Sequence, residues 1–228
     1  MRHFFYVHGF GSSPESSKAR FLRARLAQHS QTLWCPDLNC PDFSTLTVSR
    51  MIAAVTRDIE QLPPAPIVLI GSSLGGLVAL HLADRWGMAA DPGDARARGW
   101  PIDRLVLFAP AVDFAPSHGR RLGDEGLALW RRTDRLEVFH HADMINRPVG
   151  FALHLDALQY DSSSTSVTVP ILIFHGRGDQ VVDPAAVESF ADGRDNVTLR
   201  MLDDDHQLLK SLDGIWEEVA AFLGIEQA

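Results

Sequence analysis

The stretch PIVLIGSSLGGLVALHLA, residues 66–83, decides the fold class because it joins two different hydrophobic patterns at one sharp turn. Its first half is a continuous apolar run, which is typical of a strand buried on both faces of a parallel sheet. Its second half has apolar residues three and four apart, which predicts a helix. Two serines stand at the turn, and only Ser73 occupies the centre of a Gly-x-Ser-x-Gly sequence, Gly71 to Gly75.

A serine in that position is typical of a nucleophile on a strand-to-helix turn. The turn strains the backbone of the serine, and the flanking positions must be small to let the chains pass. The backbone N–H of the next residue, Leu74, then lies at a helix N-terminus, where it can stabilise developing negative charge. The alternative for either serine is a helix cap. We expect a nucleophile at Ser73 and only a capping or packing role for Ser72.

A serine hydroxyl is a weak nucleophile unless a base accepts its proton, so a histidine and an orienting carboxylate are needed. Among ten histidines, His206 in MLDDDHQLL directly follows the last predicted strand. Asp179 follows the strand ILIF in FHGRGDQVVDP and is the predicted acid. Asp183, which precedes Pro184, is expected to cap the next helix instead. The order Ser73, Asp179, His206 along the chain is that of one hydrolase class and differs from two protease orders.

The loop YVHGFGSSP, residues 6–14, provides a second candidate donor for an oxyanion. Gly9 and Gly11 allow its backbone to approach the crevice closely, and the N–H of Phe10 is then predicted to point into it. His8 belongs to the same turn. We expect it to hold the loop by hydrogen bonds rather than to take part in catalysis.

Two other segments carry local predictions. The acidic run Asp203 to Asp205 is expected to shape the loop before His206 and to remain solvated. The segment STLTVSRMIAAVTRDIEQLP, residues 44–63, predicts a helix that is capped near Ser44 or Thr45 and ends before its final proline.

The whole chain alternates apolar, β-rich runs with helical patterns. This predicts one α/β domain over residues 1–228, with a doubly wound, mostly parallel sheet of about six strands and helices on both faces. Residues 112–168 interrupt the alternation and contain two helical patterns, so we expect a small helical lid over the crevice. Aromatic residues of the lid either line a substrate pocket or pack among themselves. The candidates for substrate contact are Trp130, Phe114 and Phe151.

Composition excludes several function classes. The chain has 21 basic and 29 acidic residues, a net charge of −8 and no long basic run, so no nucleic-acid partner is expected. Cys35 and Cys40 have no neighbouring histidine or cysteine cluster, which favours two reduced thiols over a metal site. No signal-peptide core and no apolar run of bilayer length is present, so we expect a cytoplasmic protein without a membrane span.

Five motifs together resemble the α/β-hydrolase superfamily over nearly the whole chain: HGFG, GSSLGG, LFAPAV, HGRGDQVV and DDDHQL. The opening YVHGFGSSPESSKA is similar, more specifically, to the small bacterial YqiA-like esterases. The resemblance implies that Ser73 attacks acyl esters or thioesters, with His206 as base and Asp179 as acid. It also implies that Phe10 and Leu74 supply the N–H groups of an oxyanion hole. The lid insertion is longer and richer in His and Arg than the resemblance implies.

The resulting hypothesis is a serine hydrolase that cleaves carboxylic esters or thioesters, either acyl-CoA-like or small acyl esters, through an acyl-enzyme on Ser73. Its expected partner is a small acyl ester or thioester, and the chemistry requires no metal or organic cofactor. Two alternatives remain open. The same residues could act on another bond, as in a C–C hydrolase, a peptidase or a perhydrolase. The chain could also be a non-catalytic ligand-binding protein with a hydrolase fold.

Overall fold

The computed structural model describes residues 2–39, 41–88 and 99–225 of the chain. Cys35 is a free, partly buried thiol, whereas Cys40 lies outside the described residues. Within the described ranges, no group of three or more His, Cys, Asp or Glu side chains could hold a metal ion. Among the helices found there, none combines the length and the hydropathy needed to cross a membrane.

The described ranges contain eight strands, six of which form one sheet. In chain order they are β1 (His3–Val7), β2 (Leu33–Trp34), β3 (Ile67–Ser72), β4 (Ile102–Phe108), β5 (Leu136–His140), β6 (Ile145–Val149), β7 (Ile171–Gly176) and β8 (Val197–Leu202). The sheet order is β2-β1-β3-β4-β7-β8, and every neighbouring pair is parallel. Strands β5 and β6 form a separate antiparallel hairpin. The prediction of about six mostly parallel strands is confirmed.

Helices cover both faces of the sheet, as a doubly wound fold requires. The α-helices of the described chain are α1 (Ser17–Gln28), α2 (Val48–Glu60), α3 (Leu74–Met88), α4 (Phe114–Thr133), α5 (Ala152–Ala157), α6 (Pro184–Ala191) and α7 (Leu212–Leu223). Helices α1 and α7 pack on one face. Helices α2, α3 and α6 pack on the other, together with the segment between β4 and β7. Because both faces are covered, every residue of β3 is buried.

Helix α2 begins later than its sequence predicts. Thr47 is its N-cap and accepts a hydrogen bond from the amide of Arg50 at 3.1 Å. The two residues expected to cap it lie instead in a short 3₁₀ turn, Phe43–Thr45. The prediction of the cap is wrong because the backbone leaves the helical region at Leu46, with ψ of 137°, before the α-helix starts. The helix ends before Pro63, as predicted.

The segment between β4 and β7, residues 112–168, is less purely helical than expected. Helix α4 is kinked at Gly123, whose φ of 65° and ψ of 174° are not helical. The stretch FHHADMINR, residues 139–147, forms the end of the β5–β6 hairpin, a strand pair within a segment that the sequence predicts to be helical. Burial in β5 alternates along the strand, which is a strand pattern over too few residues to be distinguished from a helical one.

Helix α3 packs against β1 at a distance that only glycine permits. A Cβ atom added to Gly75 would lie 2.0 Å from the carbonyl oxygen of Val7 and 2.5 Å from that of His8. One added to Gly71 would lie 2.7 Å from Cα of Gly76. These distances are far inside van der Waals contact, and the neighbouring atoms belong to rigid backbone. The glycines of the pentapeptide therefore allow the helix to lie directly on the sheet.

We expect Gly75→Ala to lower the free energy of unfolding by roughly 3 kcal/mol or more, since the added methyl group overlaps backbone that cannot move aside. Gly214→Ala is the matched control, because nothing lies within 4 Å of a Cβ added at this position in α7. There we expect a gain of about 0.5–1 kcal/mol from helix propensity. Urea unfolding measures the change in the free energy of unfolding in each variant. A Gly75→Ala protein as stable as the parent would contradict the packing argument.

Candidate active site

Ser73 lies at the turn between β3 and α3 in a strained conformation. Its φ of 53° falls in the left-handed region, which non-glycine residues adopt at a cost of about 1–3 kcal/mol. Two backbone hydrogen bonds hold the turn. The amide of Ser73 donates to the carbonyl of Phe108 at 2.9 Å, and its carbonyl accepts from the amide of Ala111 at 3.1 Å. The last residue of β4 and the segment that follows it thereby fix the backbone of this serine.

The two serines of the turn have different surroundings. Ser72 is buried and hydrogen bonds with the side chain of Tyr6, whose pKa is raised by burial to about 12. Ser73 is only partly buried and lines a cavity. The packing role expected for Ser72 agrees with this placement.

The structure brings the three predicted residues of the site into one hydrogen-bonded chain. Nε2 of His206 lies 3.1 Å from Oγ of Ser73, and Nδ1 of His206 lies 2.7 Å from Oδ2 of Asp179. Because an ionised carboxylate can only accept, Nδ1 carries the proton that is donated to Asp179. Nε2 is then free to accept the proton of the serine hydroxyl.

The carboxylate of Asp179 is buried, and both of its oxygens accept hydrogen bonds. Its second oxygen, Oδ1, accepts from the amides of Val181 at 2.8 Å and Val182 at 2.9 Å. Burial raises the pKa of Asp179, but the hydrogen bond and charge of His206 and the two amides outweigh burial and hold the pKa below its ordinary value. Asp179 is therefore ionised at neutral pH and fixed in orientation.

A second histidine, His175 at the end of β7, also contacts this carboxylate. Its Nε2 lies 3.2 Å from the carbonyl oxygen of Val182 and 3.4 Å from Oδ2 of Asp179. Burial lowers the pKa of His175, so the ring is neutral and donates from Nε2. The sequence predicts no role for this residue, although its place at the carboxyl end of a predicted strand was an available signal.

The other acidic residues near the site have structural roles. Asp183 caps α6 by accepting from the amide of Ala185 at 3.0 Å, as predicted. Asp204 accepts from the amide of Asp205 and from both the amide and the hydroxyl of Ser211, at 2.8–3.0 Å. It shapes the loop as expected, but it is buried and not solvated, because these three donors replace water.

The loop after β1 passes directly beside the serine turn. A Cβ added to Gly9 would lie 3.1 Å from the carbonyl oxygen of Ser72 and 3.2 Å from Cβ of Ser73. In the part of the chain that the structure describes, no acceptor takes the N–H of Phe10 or that of Leu74. Of the two residues, Phe10 lines the cavity described below, whereas Leu74 is fully buried.

Three hydrogen bonds hold that loop in place. Nδ1 of His8 donates to the carbonyl of Gly9 at 3.0 Å, and Nε2 accepts from the amide of Leu38 at 3.1 Å. The structural role predicted for His8 is confirmed. On the opposite side, the carbonyl of Gly11 accepts from the amide of His141 at 2.7 Å, which joins the loop to the β5–β6 hairpin.

A cavity of about 850 Å³ opens above Ser73 and His206. The start of α1, helix α4 and the β5–β6 hairpin supply about half of its walls, and the loop between β1 and α1 supplies much of the rest. Of the predicted substrate contacts, Phe114 lines this cavity. Trp130 and Phe151 do not: their rings pack edge to face at 5.3 Å inside the insertion, and the indole N–H of Trp130 donates to a backbone carbonyl at 2.9 Å.

One cavity residue that the sequence analysis missed is Lys18, in the first turn of α1. Its side chain is only 7% exposed and forms part of the cavity wall. Lys18, Leu22 and Leu26 follow one another at intervals of four residues and share the buried face of the helix. A lysine at a position that helical spacing assigns to the apolar face was the signal that could have identified it.

Comparison with known protein families assigns the chain to one family. The model of the uncharacterised protein family UPF0227, a YqiA-like family, matches residues 3–224. The chain belongs to UPF0227. No curated protein matches this UPF0227 chain in sequence.

Solved structures similar to this UPF0227 chain have the α/β-hydrolase fold. A candidate hydrolase of Agrobacterium vitis S4 has a TM-score of 0.81 and 22% identity, over 96% of this chain and 87% of that one. Est1E of Butyrivibrio proteoclasticus, solved with ferulic acid bound, has a TM-score of 0.76 and 20% identity, over 98% and 88%. A monoacylglycerol lipase of Paleococcus ferrophilus has a TM-score of 0.72 and 15% identity, over 96% and 93%. At these identities the likeness establishes the fold alone.

We expect Asp204→Ala to lower the free energy of unfolding by about 1–3 kcal/mol, because it removes the acceptor of three partly buried hydrogen bonds that hold the His206 loop. Asp203→Ala, at an exposed neighbour, is the matched control and should change it by less than about 0.5 kcal/mol. Chemical unfolding at pH 7 measures the difference, and equal effects would contradict the bracing role.

The difference between these two variants should also depend on pH. Burial raises the pKa of Asp204, but hydrogen bonds from Asp205 and Ser211 outweigh burial and hold the pKa below its ordinary value in the folded protein. The stabilisation is therefore complete above the unfolded-state pKa of about 3.9 and is lost as pH falls through the lower, folded-state value. The effect of Asp204→Ala should shrink as unfolding is measured at pH values decreasing below about 4.

Proposed function

We propose that this protein is a serine hydrolase that cleaves carboxylic esters or thioesters through an acyl-enzyme on Ser73. The observation that carries the proposal is the continuous chain of hydrogen bonds from Ser73 through His206 to Asp179, at 3.1 Å and 2.7 Å, at the base of a cavity. The monoacylglycerol lipase among the solved structures of the same fold supports the reaction class.

In the first step, Oγ of Ser73 attacks the acyl carbonyl carbon while Nε2 of His206 takes the hydroxyl proton. The imidazolium that forms carries a positive charge next to the buried carboxylate of Asp179. That carboxylate is already fixed by two backbone amides, so it holds the ring in the productive tautomer and stabilises its charge without moving.

The negative charge of the tetrahedral intermediate develops on the former carbonyl oxygen. The N–H groups of Phe10 and Leu74 are the proposed donors to it. Each donor in such a site typically contributes about 3–4 kcal/mol to stabilisation of the transition state. Leu74 begins α3, so the partial positive charge of the helix N-terminus adds to its own N–H.

The intermediate then collapses, and His206 gives its proton to the leaving alcohol or thiol. An acyl group remains bonded to Oγ of Ser73. His206 next takes a proton from water, whose oxygen attacks the acyl carbon and releases the carboxylic acid as Ser73 recovers its hydrogen. Each of these proton transfers runs through Nε2, which is why a single correctly oriented imidazole is sufficient.

We further propose that residues 112–168 are the lid of a single hydrolase domain, with the substrate bound between the lid and the carboxyl ends of the strands. Phe114 of α4 and the β5–β6 hairpin line the cavity from this side. The bond from His141 to the carbonyl of Gly11 connects the hairpin to the loop that carries Phe10. The position of the lid and the position of the proposed oxyanion donor are therefore coupled.

We expect Ser73→Ala to lower kcat/KM for a 4-nitrophenyl ester by about 10³-fold or more, because the acyl-enzyme can no longer form. Ser72→Ala is the control: the same substitution, one residue earlier, at a side chain that turns to Tyr6. It should retain most of the activity. A fluorophosphonate probe should label the parent protein and not Ser73→Ala. Ester hydrolysis that survives Ser73→Ala undiminished would refute the proposal, and a folded protein that the probe never labels would favour a ligand-binding protein.

We expect Asp179→Asn to lower kcat by about 10³- to 10⁴-fold while leaving the fold intact, since an amide in this position favours the wrong tautomer of His206. Asp183→Asn provides the matched control, because asparagine is an equally good helix cap and this side chain faces Ala185. Steady-state kinetics of the two variants distinguish the roles of the two aspartates. Equal losses in both would assign the effect to the loop rather than to the carboxylate.

A further inference from the structure

The acidic side chains in the cavity wall are already paired with arginines that lie outside the wall. The three pairs, with their N–O distances, are Glu15–Arg23 at 3.1 Å, Asp113–Arg120 at 2.7 Å and Glu137–Arg135 at 2.7 Å. Their negative charge is compensated from the surface side. The acids therefore contribute little net charge to the cavity.

The basic side chains of the cavity wall, unlike the acidic ones, have no oppositely charged partner in contact in the part of the chain that the structure describes. Lys18, Arg20 and Arg121 line the cavity, and among the residues that the structure describes none of the three forms an ion pair. Arg20 and Arg121 are exposed, whereas Lys18 is buried within the wall. The protein is acidic overall, with a net charge of −8, but the basic side chains of this cavity have no carboxylate in direct contact within the described ranges.

Lys18 is held next to the proposed catalytic histidine. Its Nζ donates to the carbonyl oxygen of Gln207 at 2.7 Å, and Gln207 directly follows His206 in the chain. An ammonium group has three N–H donors, so this bond uses only one of them. The remaining donors have no acceptor within the described ranges, and the side chain that carries them forms part of the cavity wall.

Burial of this ammonium group is costly without an anion in contact with it. Burial lowers the pKa of Lys18 to about 8, although the carboxylates of Asp205, Asp179 and Asp204 act in the opposite direction. Lys18 is therefore mainly protonated at neutral pH. A buried cation is stabilised when an anion provides both charge and hydrogen-bond acceptors, and the open side of Lys18 is the cavity.

We propose that Lys18 binds an anionic group of the substrate, a carboxylate or a phosphate located close to the scissile ester or thioester bond. The inference rests on the proposed function and specifies its substrate class: esters that carry a negative charge near the acyl carbonyl. Lys18 selects these substrates inside the cavity. Arg20 and Arg121, at the exposed part of the same wall, add to the attraction before the substrate is bound.

Two pairs of esters of matched shape test whether the anion lies on the acyl or on the alcohol side. The acyl pair is monomethyl glutarate and methyl 5-methylhexanoate, in which an isopropyl group replaces the carboxylate. The alcohol pair is 4-acetoxybenzoate and its neutral methyl ester. Each kcat/KM is divided by the rate constant for alkaline hydrolysis of the same ester, so that intrinsic reactivity cancels. The wild-type protein should prefer the anionic member of at least one pair.

Lys18→Met should reduce that preference by about tenfold to a hundredfold, the usual range for loss of a charged hydrogen bond. Lys18→Gln keeps a donor for the carbonyl of Gln207 but removes the charge, so it should lose the preference too. Lys18→Arg should keep most of it. Lys210→Met is the matched control, because Lys210 is exposed and does not line the cavity.

The outcomes separate this inference from the proposed function. Loss of the preference in both uncharged variants, with retention in Lys18→Arg and Lys210→Met, supports it. A wild-type protein that hydrolyses these esters through Ser73 without preferring either anion overturns the inference and leaves the proposed function standing. So does an equal loss on anionic and neutral esters in Lys18→Gln, which would make Lys18 a brace of the His206 loop. Absence of any Ser73-dependent hydrolysis overturns both.

Discussion

The strained backbone of Ser73 is the constraint on which the rest of the structure depends. A φ of 53° is stable there because the end of β4 binds the amide of this residue, the segment after β4 binds its carbonyl, and glycines let α3 lie against β1. The same packing allows α3 to begin at Leu74, directly after Ser73. Folding energy from the buried sheet therefore maintains a local conformation that would be unfavourable in an isolated peptide, and it directs one hydroxyl into the cavity.

Around this turn, buried charge is organised in two different ways. Asp179 and Asp204 are carboxylates that the protein satisfies completely, with backbone amides, a hydroxyl and His206. Lys18 is a buried cation that the protein satisfies only in part. Because these two carboxylates are fully hydrogen bonded, they hold the loops around His206 in a rigid arrangement. Lys18 still has N–H donors without an acceptor among the described residues, and an anionic ligand can accept from them. This connects the proposed chemistry to a class of substrate.

Local sequence patterns predicted much of the architecture, and the errors occurred where long-range packing competes with local preference. The alternation of strands and helices predicted the six-stranded parallel sheet, because strands and helices each have a short-range hydrophobic periodicity that can be recognised in the sequence. The cap of α2 was misplaced because Ser44, Thr45 and Thr47 are all good caps locally, and only tertiary packing selects Thr47. The β5–β6 hairpin was missed because its strands are short and one contains Pro148, which disfavours a strand pattern.

The sequence by itself determined the class of the fold and the three residues brought together at the site, because each of them directly follows a recognisable strand and parallel strands end at one edge. Only the tertiary structure decided which surrounding side chains face the cavity. It assigned Phe114 to the wall and Trp130 to the interior of the insertion, and it placed Lys18 beside Gln207. Such neighbours come from elements distant in the chain, so their contacts depend on how whole helices pack rather than on any local pattern.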